Sequence, residues 1–253
     1  MFDLKNRLAV VTGGASGIGR EVVLKLAESG ATVFSGDLDE IGNAETVRLS
    51  QKLNGRVRAL NVDVGDFESV AEFSRTILTV EKKGDRIVEI VVNAAGWDKI
   101  QAFLDSSPDF TDKIINTNLK GPINVIRSFL PAMMDASRGK IINISSDAGR
   151  VGSMGETIYS GAKGGVIALT KSLARETARH TINVNCVCPG PTNTPLLQAQ
   201  PEIMREKLTK AIPFRRIAEP TEVADAVLFF ASNMSDYITG QVLSVSGGLT
   251  MAD

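Results

Sequence analysis

Arg7-Leu-Ala-Val-Val-Thr-Gly-Gly-Ala-Ser-Gly-Ile-Gly19 is the segment that determines the fold predicted for this chain. Its first half is a short apolar run rich in β-branched residues, which is typical of a buried strand. Its glycine-rich second half leads into an amphipathic helical pattern with apolar residues at Val22, Val23 and Leu26. A strand, a glycine turn and a helix that starts within the turn point backbone N–H groups at a bound phosphate. The segment therefore predicts a site for the pyrophosphate of a dinucleotide.

Strand-like and helix-like segments alternate along almost the whole chain. The pattern predicts strands near residues 8–13, 31–36, 56–61, 87–93, 139–145, 182–188 and 241–245. It predicts helices near residues 17–29, 40–53, 67–82, 109–135, 156–179 and 221–232. Continuous apolar runs in several of these strands are typical of strands covered on both faces. We expect one doubly wound α/β domain of the Rossmann type over residues 1–253, with about seven parallel strands and helices on both faces.

The stretch from Pro189 to about Pro220 interrupts this alternation because it is rich in proline. It follows a predicted strand directly, on the side of the sheet where ligands bind. We expect residues 189–220 to carry short helices and to act as a substrate-binding lid. The alternative is an ordinary long connection packed on the surface.

Composition and charge restrict the class of protein. The formal net charge is −1 and the sequence pI is about 6.0, so nothing attracts the chain to nucleic acid or to an anionic membrane. No apolar run approaches the ~20 residues that span a bilayer. The first strand begins almost at once after Met1, which predicts no signal or transit peptide. We expect a soluble, cytoplasmic protein that binds neither nucleic acid nor membrane.

The chain offers little metal-binding chemistry. Cys186 and Cys188 are two residues apart in a predicted strand, so they point the same way and are poorly placed to bridge each other. His180 is the single histidine and closes a predicted helix. We expect free buried thiols and no metal.

Tyr159-Ser-Gly-Ala-Lys163 places a phenol and an ammonium group four residues apart, on one face of a predicted helix. A free phenol has a pKa near ~10, and a cation within ~4–6 Å lowers it. Such a phenol could exchange a proton with an alcohol or ketone oxygen. The same spacing is common on solvated helix faces, so this interpretation depends on the dinucleotide pattern elsewhere in the chain.

Several motifs occur together in a fixed order along the chain. They are Thr12-Gly-Gly-Ala-Ser-Gly-Ile-Gly19, Asn93-Ala-Ala-Gly96, Asn118, Ser146, Tyr159-x-x-x-Lys163 and Pro189-Gly190. In these motifs the sequence resembles the short-chain dehydrogenase/reductase family over essentially its whole length. A narrower resemblance is to the 2-hydroxycyclohexanecarboxyl-CoA dehydrogenases, which oxidise a ring hydroxyl of an alicyclic acyl-CoA with NAD. The segments that carry it are 93–99, 146–153, 188–191 and 240–251.

The family resemblance implies four catalytic residues. Tyr159 would be the general acid and base, and Lys163 would lower its pKa and hold the nicotinamide ribose. Ser146 would hydrogen-bond the substrate oxygen, while its neighbour Ser145 would point to the other face of the strand. Asn118 would bend a helix and hold a proton-relay water. The alternative for this residue is the structural role alone.

Asp37 ends the second predicted strand, about where an acid hydrogen-bonds the adenosine ribose. Its charge would repel a 2′-phosphate, and no Lys or Arg follows before Arg48, so we predict NAD rather than NADP. The resemblance implies a larger cofactor-binding set. Besides Asp37, Tyr159 and Lys163, it comprises Gly13, Ser16, Gly17, Ile18, Gly19, Asp63, Val64, Asn93, Ala94, Gly96, Pro189, Gly190, Thr192 and Thr194.

Three residues at the expected entrance are candidates for substrate contacts. Arg150 could reach a CoA phosphate, Trp97 could offer a flat apolar wall, and Leu196 lies in the expected lid. Each also fits an ordinary packing or surface role. We expect oxidation of a secondary ring hydroxyl to a ketone on a 2-hydroxycyclohexanecarboxyl-CoA-type thioester, with Tyr159 as general base.

Other functions stay open. The same chemistry could act on a free cyclic or secondary alcohol. A 3-oxoacyl thioester reductase is disfavoured by Asp37, since biosynthetic reduction usually draws on NADPH. A cofactor-binding protein or redox sensor without turnover is disfavoured by the complete catalytic set. Family members are commonly tetramers, so we expect a homotetramer formed through the helices near 109–135 and 156–179 and the final strand.

Overall fold

A parallel β-sheet forms the centre of the protein, seen in a computed structural model that describes residues 2–81 and 86–252. Within these residues the sheet has seven strands in the order β3-β2-β1-β4-β5-β6-β7. The strands are β1 Leu8–Thr12, β2 Thr32–Asp37, β3 Arg56–Asn61, β4 Ile90–Asn93, β5 Gly139–Ile144, β6 Ile182–Pro189 and β7 Val242–Val245. The predicted fold class is confirmed.

Helices cover both faces of the sheet. They are α1 Gly17–Glu28, α2 Glu40–Ser50, α3 Phe67–Glu81, α4 Pro108–Ile115, α5 Gly121–Asp135, α6 Ala148–Val151, α7 Thr157–Thr177, α8 Pro195–Gln198, α9 Glu202–Ala211 and α10 Pro220–Ala231. Alternate residues of β1 enter different cores: Ala9 and Val11 pack with α1 and α10, while Leu8 and Val10 pack with α3, α5 and α7. Both faces of each central strand are therefore buried, which explains the continuous apolar runs.

The segment predicted as one helix over 109–135 is divided into α4, a π-helical turn at Asn116–Lys120, and α5. The side-chain amide of Asn118 donates to the carbonyl of Ile114, within the helix, and to that of Trp97, outside it. This second contact ties the turn to the loop after β4, and such single π turns are frequent at functional sites.

Predicted element boundaries also differ by a few residues, most clearly at the fourth strand. The fourth strand begins at Ile90 rather than at residue 87, because Ile90 pairs with Ala9 and β1 itself starts only one residue earlier. The third predicted helix extends to residue 82, which lies outside the described residues.

The strand order reverses at β1, whose neighbours are β2 and β4. Loops that leave β1 and β4 diverge at such a point and open a crevice at the carboxyl ends of the strands. The glycine turn after β1, Asp37 at the end of β2 and the loops after β4, β5 and β6 all meet this crevice. The topology thus places the predicted site residues along one edge of the sheet.

A buried chain of polar side chains crosses the sheet below this edge. Asn93 on β4 donates to the Asn143 oxygen on β5 at 2.8 Å, and the Asn143 amide donates to the Thr170 hydroxyl on α7 at 2.9 Å. Thr170 in turn donates to the carbonyl of Val166 at 2.8 Å. Since buried amides are costly without partners, this chain fixes β4, β5 and α7 relative to one another.

Replacing Thr170 with Val keeps the shape of the side chain and removes the acceptor of the Asn143 amide. We expect the free energy of unfolding, measured with urea, to fall by about 1–3 kcal/mol, since a fully buried donor loses its partner. Thr221→Val, at an exposed position of α10, is the matched control and should change it little. Equal stability of the two variants would contradict the role given to the chain.

Candidate active site

The crevice at the carboxyl edge forms a cleft of about 630 Å³. Most of the site residues predicted from the sequence lie in its lining. They are Gly13, Ser16, Gly17, Ile18, Gly19, Asp37, Ala94, Gly96, Ser146, Tyr159, Lys163, Pro189, Gly190, Thr192, Thr194 and Leu196. The predicted residues outside the lining are Asp63, Val64, Asn93, Trp97, Asn118 and Arg150.

The N-terminus of α1 opens into this cleft with its backbone donors free of side-chain caps. Ser16 precedes the helix, and its hydroxyl makes no capping hydrogen bond. Gly13 has a φ of +77°, and a side chain at Gly19 would overlap the carbonyl oxygen of Gly13, so the turn requires glycine at both positions. Free N–H groups and the positive end of a helix dipole suit an anion such as a pyrophosphate. The turn therefore fits the phosphates of a dinucleotide.

Asp37 fixes the glycine turn against the end of β2. One carboxylate oxygen accepts from the backbone N–H of Ala15 at 2.9 Å, and the other accepts from that of Asp39 at 3.0 Å. Each oxygen retains a lone pair that a ribose hydroxyl can use. The nearby guanidinium of Arg20 is bound to Thr46 and to backbone carbonyls. The carboxylate therefore fits a nucleoside ribose with free hydroxyl groups.

The charges in the cleft lining are mostly negative. Four carboxyl side chains line the described cleft, those of Asp37, Asp98, Asp147 and Glu156, against the single ammonium group of Lys163. Additional phosphate groups inside the cleft would meet like charges.

Ser146, Tyr159 and Lys163 meet at the centre of the cleft. Lys163 is only 3% exposed, and its ammonium donates to the carbonyl of Ile144 at 2.9 Å. The same nitrogen lies 5.6 Å from the centre of the Tyr159 ring. Ser145 donates to the backbone carbonyl of Lys163 at 2.7 Å, which commits its hydroxyl to the helix. Ser145 also lines the cleft, contrary to the expectation that it points away, but its hydroxyl is engaged, so the contact of Ser146 with a substrate stays a prediction.

The protonation of this group differs in one respect from the sequence-based expectation. Burial raises the pKa of Tyr159, the Glu156 and Asp98 carboxylates raise it further, and the Ser146 side chain acts in the opposite direction. Burial lowers the pKa of Lys163 to about 8, against the opposing effects of neighbouring groups. The net shift of the Tyr159 pKa is therefore upward, because desolvation dominates both groups, and the lowering contribution expected from Lys163 stays a prediction.

Asn118 uses both ends of its amide for structural contacts. The nitrogen donates to the carbonyl of Trp97 at 2.7 Å and to that of Ile114 at 3.0 Å, and the oxygen accepts from the Trp97 N–H at 3.3 Å. Its oxygen lies beside Gly96, as does the nitrogen of Lys163. These contacts explain the bend in the helix, while the proton-relay role stays a prediction.

The structure does not bring Trp97 or Arg150 into the cleft lining. The Trp97 ring packs edge-on against Phe110, with centroids 5.6 Å apart, and the Lys113 nitrogen lies 3.9 Å above its centre. Arg150 donates to the Ser244 hydroxyl at 2.8 Å and to the Ala252 carbonyl. The Trp97 ring therefore packs against α4, and the Arg150 side chain joins α6 to β7 and to the C-terminal segment.

Three predicted cofactor residues lie at strand ends without reaching the lining. Asp63 accepts from the backbone N–H of Gly65 at 2.9 Å, Val64 is buried in the core, and Asn93 belongs to the buried polar chain. Their contacts with the adenosine half of a cofactor stay predictions.

The stretch after β6 supplies one wall of the cleft. It carries α8 and α9, and contributes Leu196, Leu197, Met204 and Leu208 to the lining. The predicted short helices are present, and the movement expected of a lid stays a prediction.

Sequence reasoning missed several residues of the lining, among them the acidic residues Asp98 and Glu156. Asp98 lies two residues after Gly96, and Glu156 lies three residues before Tyr159, next to the start of α7. The spacing of Glu156 and Tyr159 could have placed both on one helix face. No spacing signal connects Asp98 with either residue.

Cys186 and Cys188 are free, with their sulfur atoms 4.0 Å apart in the buried strand β6. Across the described ranges 2–81 and 86–252, no group of three or more His, Cys, Asp or Glu residues could hold a metal ion. The same ranges contain no helix of the length and hydropathy that a membrane span requires.

Comparisons with known proteins agree with this geometry. Residues 13–250 match the family model described as enoyl-(acyl carrier protein) reductase. The chain is 42% identical over 257 residues to the human (3R)-3-hydroxyacyl-CoA dehydrogenase, covering 98% of this chain and 97% of the relative. It is 37% identical over 248 residues to the 3-oxoacyl-(acyl-carrier-protein) reductase FabG of Thermotoga maritima, covering 98% and 99%.

A solved structure from Sinorhizobium meliloti, described as a short-chain alcohol dehydrogenase, superposes with a TM-score of 0.92. It is 32% identical in sequence, and the match covers 100% of this chain and 99% of that one. The glycine turn, the Ser146, Tyr159 and Lys163 side chains and these full-length matches lead to one assignment. The chain belongs to the short-chain dehydrogenase/reductase family of oxidoreductases.

Proposed function

We propose that this enzyme interconverts a secondary hydroxyl group and a ketone on an acyl thioester, using NAD and Tyr159 as the proton-transferring group. The observation that carries the proposal is the shared cleft: Ser146, Tyr159 and Lys163 line it together with the uncapped N-terminus of α1 and Asp37. A helix N-terminus suited to the phosphates of a dinucleotide and a phenol suited to proton transfer thus line one cavity.

The protein contributes orientation and proton transfer. When bound, a nicotinamide dinucleotide supplies the hydride chemistry. In alcohol oxidation Tyr159, as phenolate, takes the proton of the hydroxyl group. In ketone reduction the neutral phenol gives that proton back, and the Ser146 hydroxyl donates to the oxygen on which charge develops.

We propose NAD rather than NADP on the charges of the cleft. The Asp37 carboxylate faces the ribose end, and Lys163, the one ammonium of the described lining, lies at the catalytic end. A 2′-phosphate beside Asp37 would have no cation to offset the repulsion among these lining groups.

An acyl thioester is favoured by the substrate side of the cleft. Apolar side chains form much of it, among them Ile100, Val151, Leu196, Met204 and Leu208. The acyl end of a thioester is uncharged, so inside the cleft it avoids the repulsion that a free carboxylate would meet among the acidic side chains. The relatives named for 3-hydroxyacyl-CoA and 3-oxoacyl substrates also act on thioesters. Within this class we propose a 2-hydroxycyclohexanecarboxyl-CoA-type ring, on the narrower sequence resemblance.

A 3-oxoacyl thioester reductase is the second candidate. It is supported by the full-length similarity to the Thermotoga maritima reductase and by the raised pKa of Tyr159, since a neutral phenol is the form that donates a proton to a ketone. The same residues would serve, and the direction of the reaction and the cofactor would distinguish the two.

We also propose a homotetramer located in the cytoplasm, as the family resemblance implies. β7 is an edge strand of the described sheet, with Leu243 exposed, and this edge is available to a second copy of the chain. Light scattering of the purified protein measures the number of subunits.

Tyr159→Phe removes only the oxygen that exchanges the proton. We expect turnover to fall by about 10²–10⁴-fold, while the affinity for NADH, measured by fluorescence titration, changes less than about twofold. Tyr237→Phe is the matched control because Tyr237 is fully exposed, and its turnover should equal that of the wild type. A Tyr159→Phe enzyme with a tenth or more of the wild-type rate would remove Tyr159 from the reaction.

Asp37→Ala removes the carboxylate expected at the adenosine ribose. We expect the ratio of kcat/KM with NAD to kcat/KM with NADP to fall by about tenfold or more, because a repulsion and a hydrogen-bond acceptor are both lost. Glu40→Gln, a nearby exposed position outside the cleft lining, should leave the ratio unchanged. An unchanged ratio in Asp37→Ala would place the ribose elsewhere.

The substrate class is tested by comparing hydroxyacyl-CoA esters with the corresponding free acids. We expect kcat/KM to be at least about tenfold higher for the thioester, because the free carboxylate meets like charges in the cleft. Cyclic and linear acyl groups in the same panel identify the acyl chain. Equal rates for thioester and acid would favour the free alcohol alternative.

A further inference from the structure

A second, much smaller cavity adjoins the cleft at Tyr159. Its volume is about 10 Å³, which is room for a single water molecule. Tyr159, Asp98 and Glu156 line both the cleft and this cavity. These three side chains therefore form the partition between the two spaces.

The two carboxyl groups reach this partition from different elements. Asp98 belongs to the loop after β4 and is 8% exposed, while Glu156 immediately precedes α7. Glu156 lies three residues before Tyr159, so the two side chains share a helix face. The Glu156 side chain raises the pKa of Asp98 as a hydrogen-bond partner, and two carboxyl groups can share a hydrogen bond only when one of them carries a proton.

We propose that Asp98 and Glu156 act as one carboxyl pair that keeps Tyr159 protonated and thereby sets the pH at which ketone reduction gives way to alcohol oxidation. The inference rests on the proposed function, because it concerns the proton that Tyr159 exchanges. Both residues are positioning residues, since they act through Tyr159 and not on the substrate.

The direction of the effect follows from charge. A negative carboxyl pair beside a phenol disfavours the phenolate, and both Glu156 and Asp98 raise the pKa of Tyr159. Alcohol oxidation needs the phenolate as base, so the pair moves the onset of oxidation to higher pH. Ketone reduction needs the neutral phenol, so the pair extends the pH range of reduction upwards.

Asp98, one member of the pair, titrates close to neutral pH. Burial, followed by the Glu156 carboxyl, raises the pKa of Asp98 to about 7, against the opposing effects of the Lys99 backbone N–H and the Lys163 ammonium. The negative charge of the pair therefore increases as Asp98 loses its proton near that pH.

Other polar groups also lie near Tyr159. They are Lys163 on α7 itself, Ser146 after β5 and Cys188 on β6, and Lys99 also lines the small cavity. Unlike these groups, Asp98 and Glu156 carry carboxyl groups and line both cavities with Tyr159.

The kinetic test uses the double variant Asp98→Asn/Glu156→Gln, which keeps the size of both side chains and removes their charge. We expect the acidic limb of the oxidation profile, kcat/KM against pH, to move to lower pH by about one unit. The basic limb of the reduction profile should move in the same direction. Glu176→Gln, at an exposed position of α7, is the matched control and should leave both limbs in place.

A second measurement does not depend on turnover. The sequence contains two tyrosines, so Tyr237→Phe leaves Tyr159 as the single phenol. With ¹³Cζ-labelled tyrosine, NMR then follows the titration of Tyr159 directly. We expect its midpoint to be lower in the Asp98→Asn/Glu156→Gln background, and lower also in Glu156→Gln alone if the double variant does not fold.

The two measurements separate the possible failures. Unmoved kinetic limbs together with an unmoved NMR midpoint would overturn the inference and leave the proposed function standing. If the wild-type protein turned over no hydroxyacyl or oxoacyl substrate, the proposed function would fail. The NMR midpoint would still decide whether the pair controls Tyr159.

Discussion

The attachment of α7 to the end of β5 is the contact on which the active site depends. Three consecutive residues, 143–145, each bond to that helix: one through Thr170, one through the Lys163 ammonium and one through the Lys163 carbonyl. The next residue along the chain is Ser146, and the helix carries Tyr159. The spacing between the Ser146 hydroxyl and the Tyr159 phenol is therefore set largely by buried bonds between sheet and helix.

Sequence alone predicted the features that depend on local pattern. Runs such as Leu8–Thr12 indicate strands with two buried faces, and the spacing of the glycines identifies the turn that follows. The structure gives the reason for that spacing, since Gly13 and Gly19 leave no space for a side chain. Asp37 was identified by its position at a strand end. In parallel sheets the carboxyl ends share one edge, so these local assignments were enough to bring distant residues together.

Features that depend on side-chain direction or burial were not predictable in this way. The π turn at Asn118 depends on a bond to Trp97, a residue distant in sequence, and Trp97 itself turns towards Phe110 rather than the cleft. The effect of Lys163 on Tyr159 was inferred from spacing. The net shift of the Tyr159 pKa is governed by desolvation, which is a property of the folded interior. Asp98 and Glu156 meet only because a strand end and a helix start converge.

The uncapped N-terminus of α1 affects the stability of the folded protein. Its first N–H groups have no partner from the Ser16 side chain, so the first turn is stabilised less than a capped helix would be. A dinucleotide that supplies acceptors to those groups binds the native state and not the unfolded chain, so it adds to the free energy of unfolding in proportion to the logarithm of its concentration. A dinucleotide bound at this turn would thereby lengthen the time that the protein survives heat and proteases.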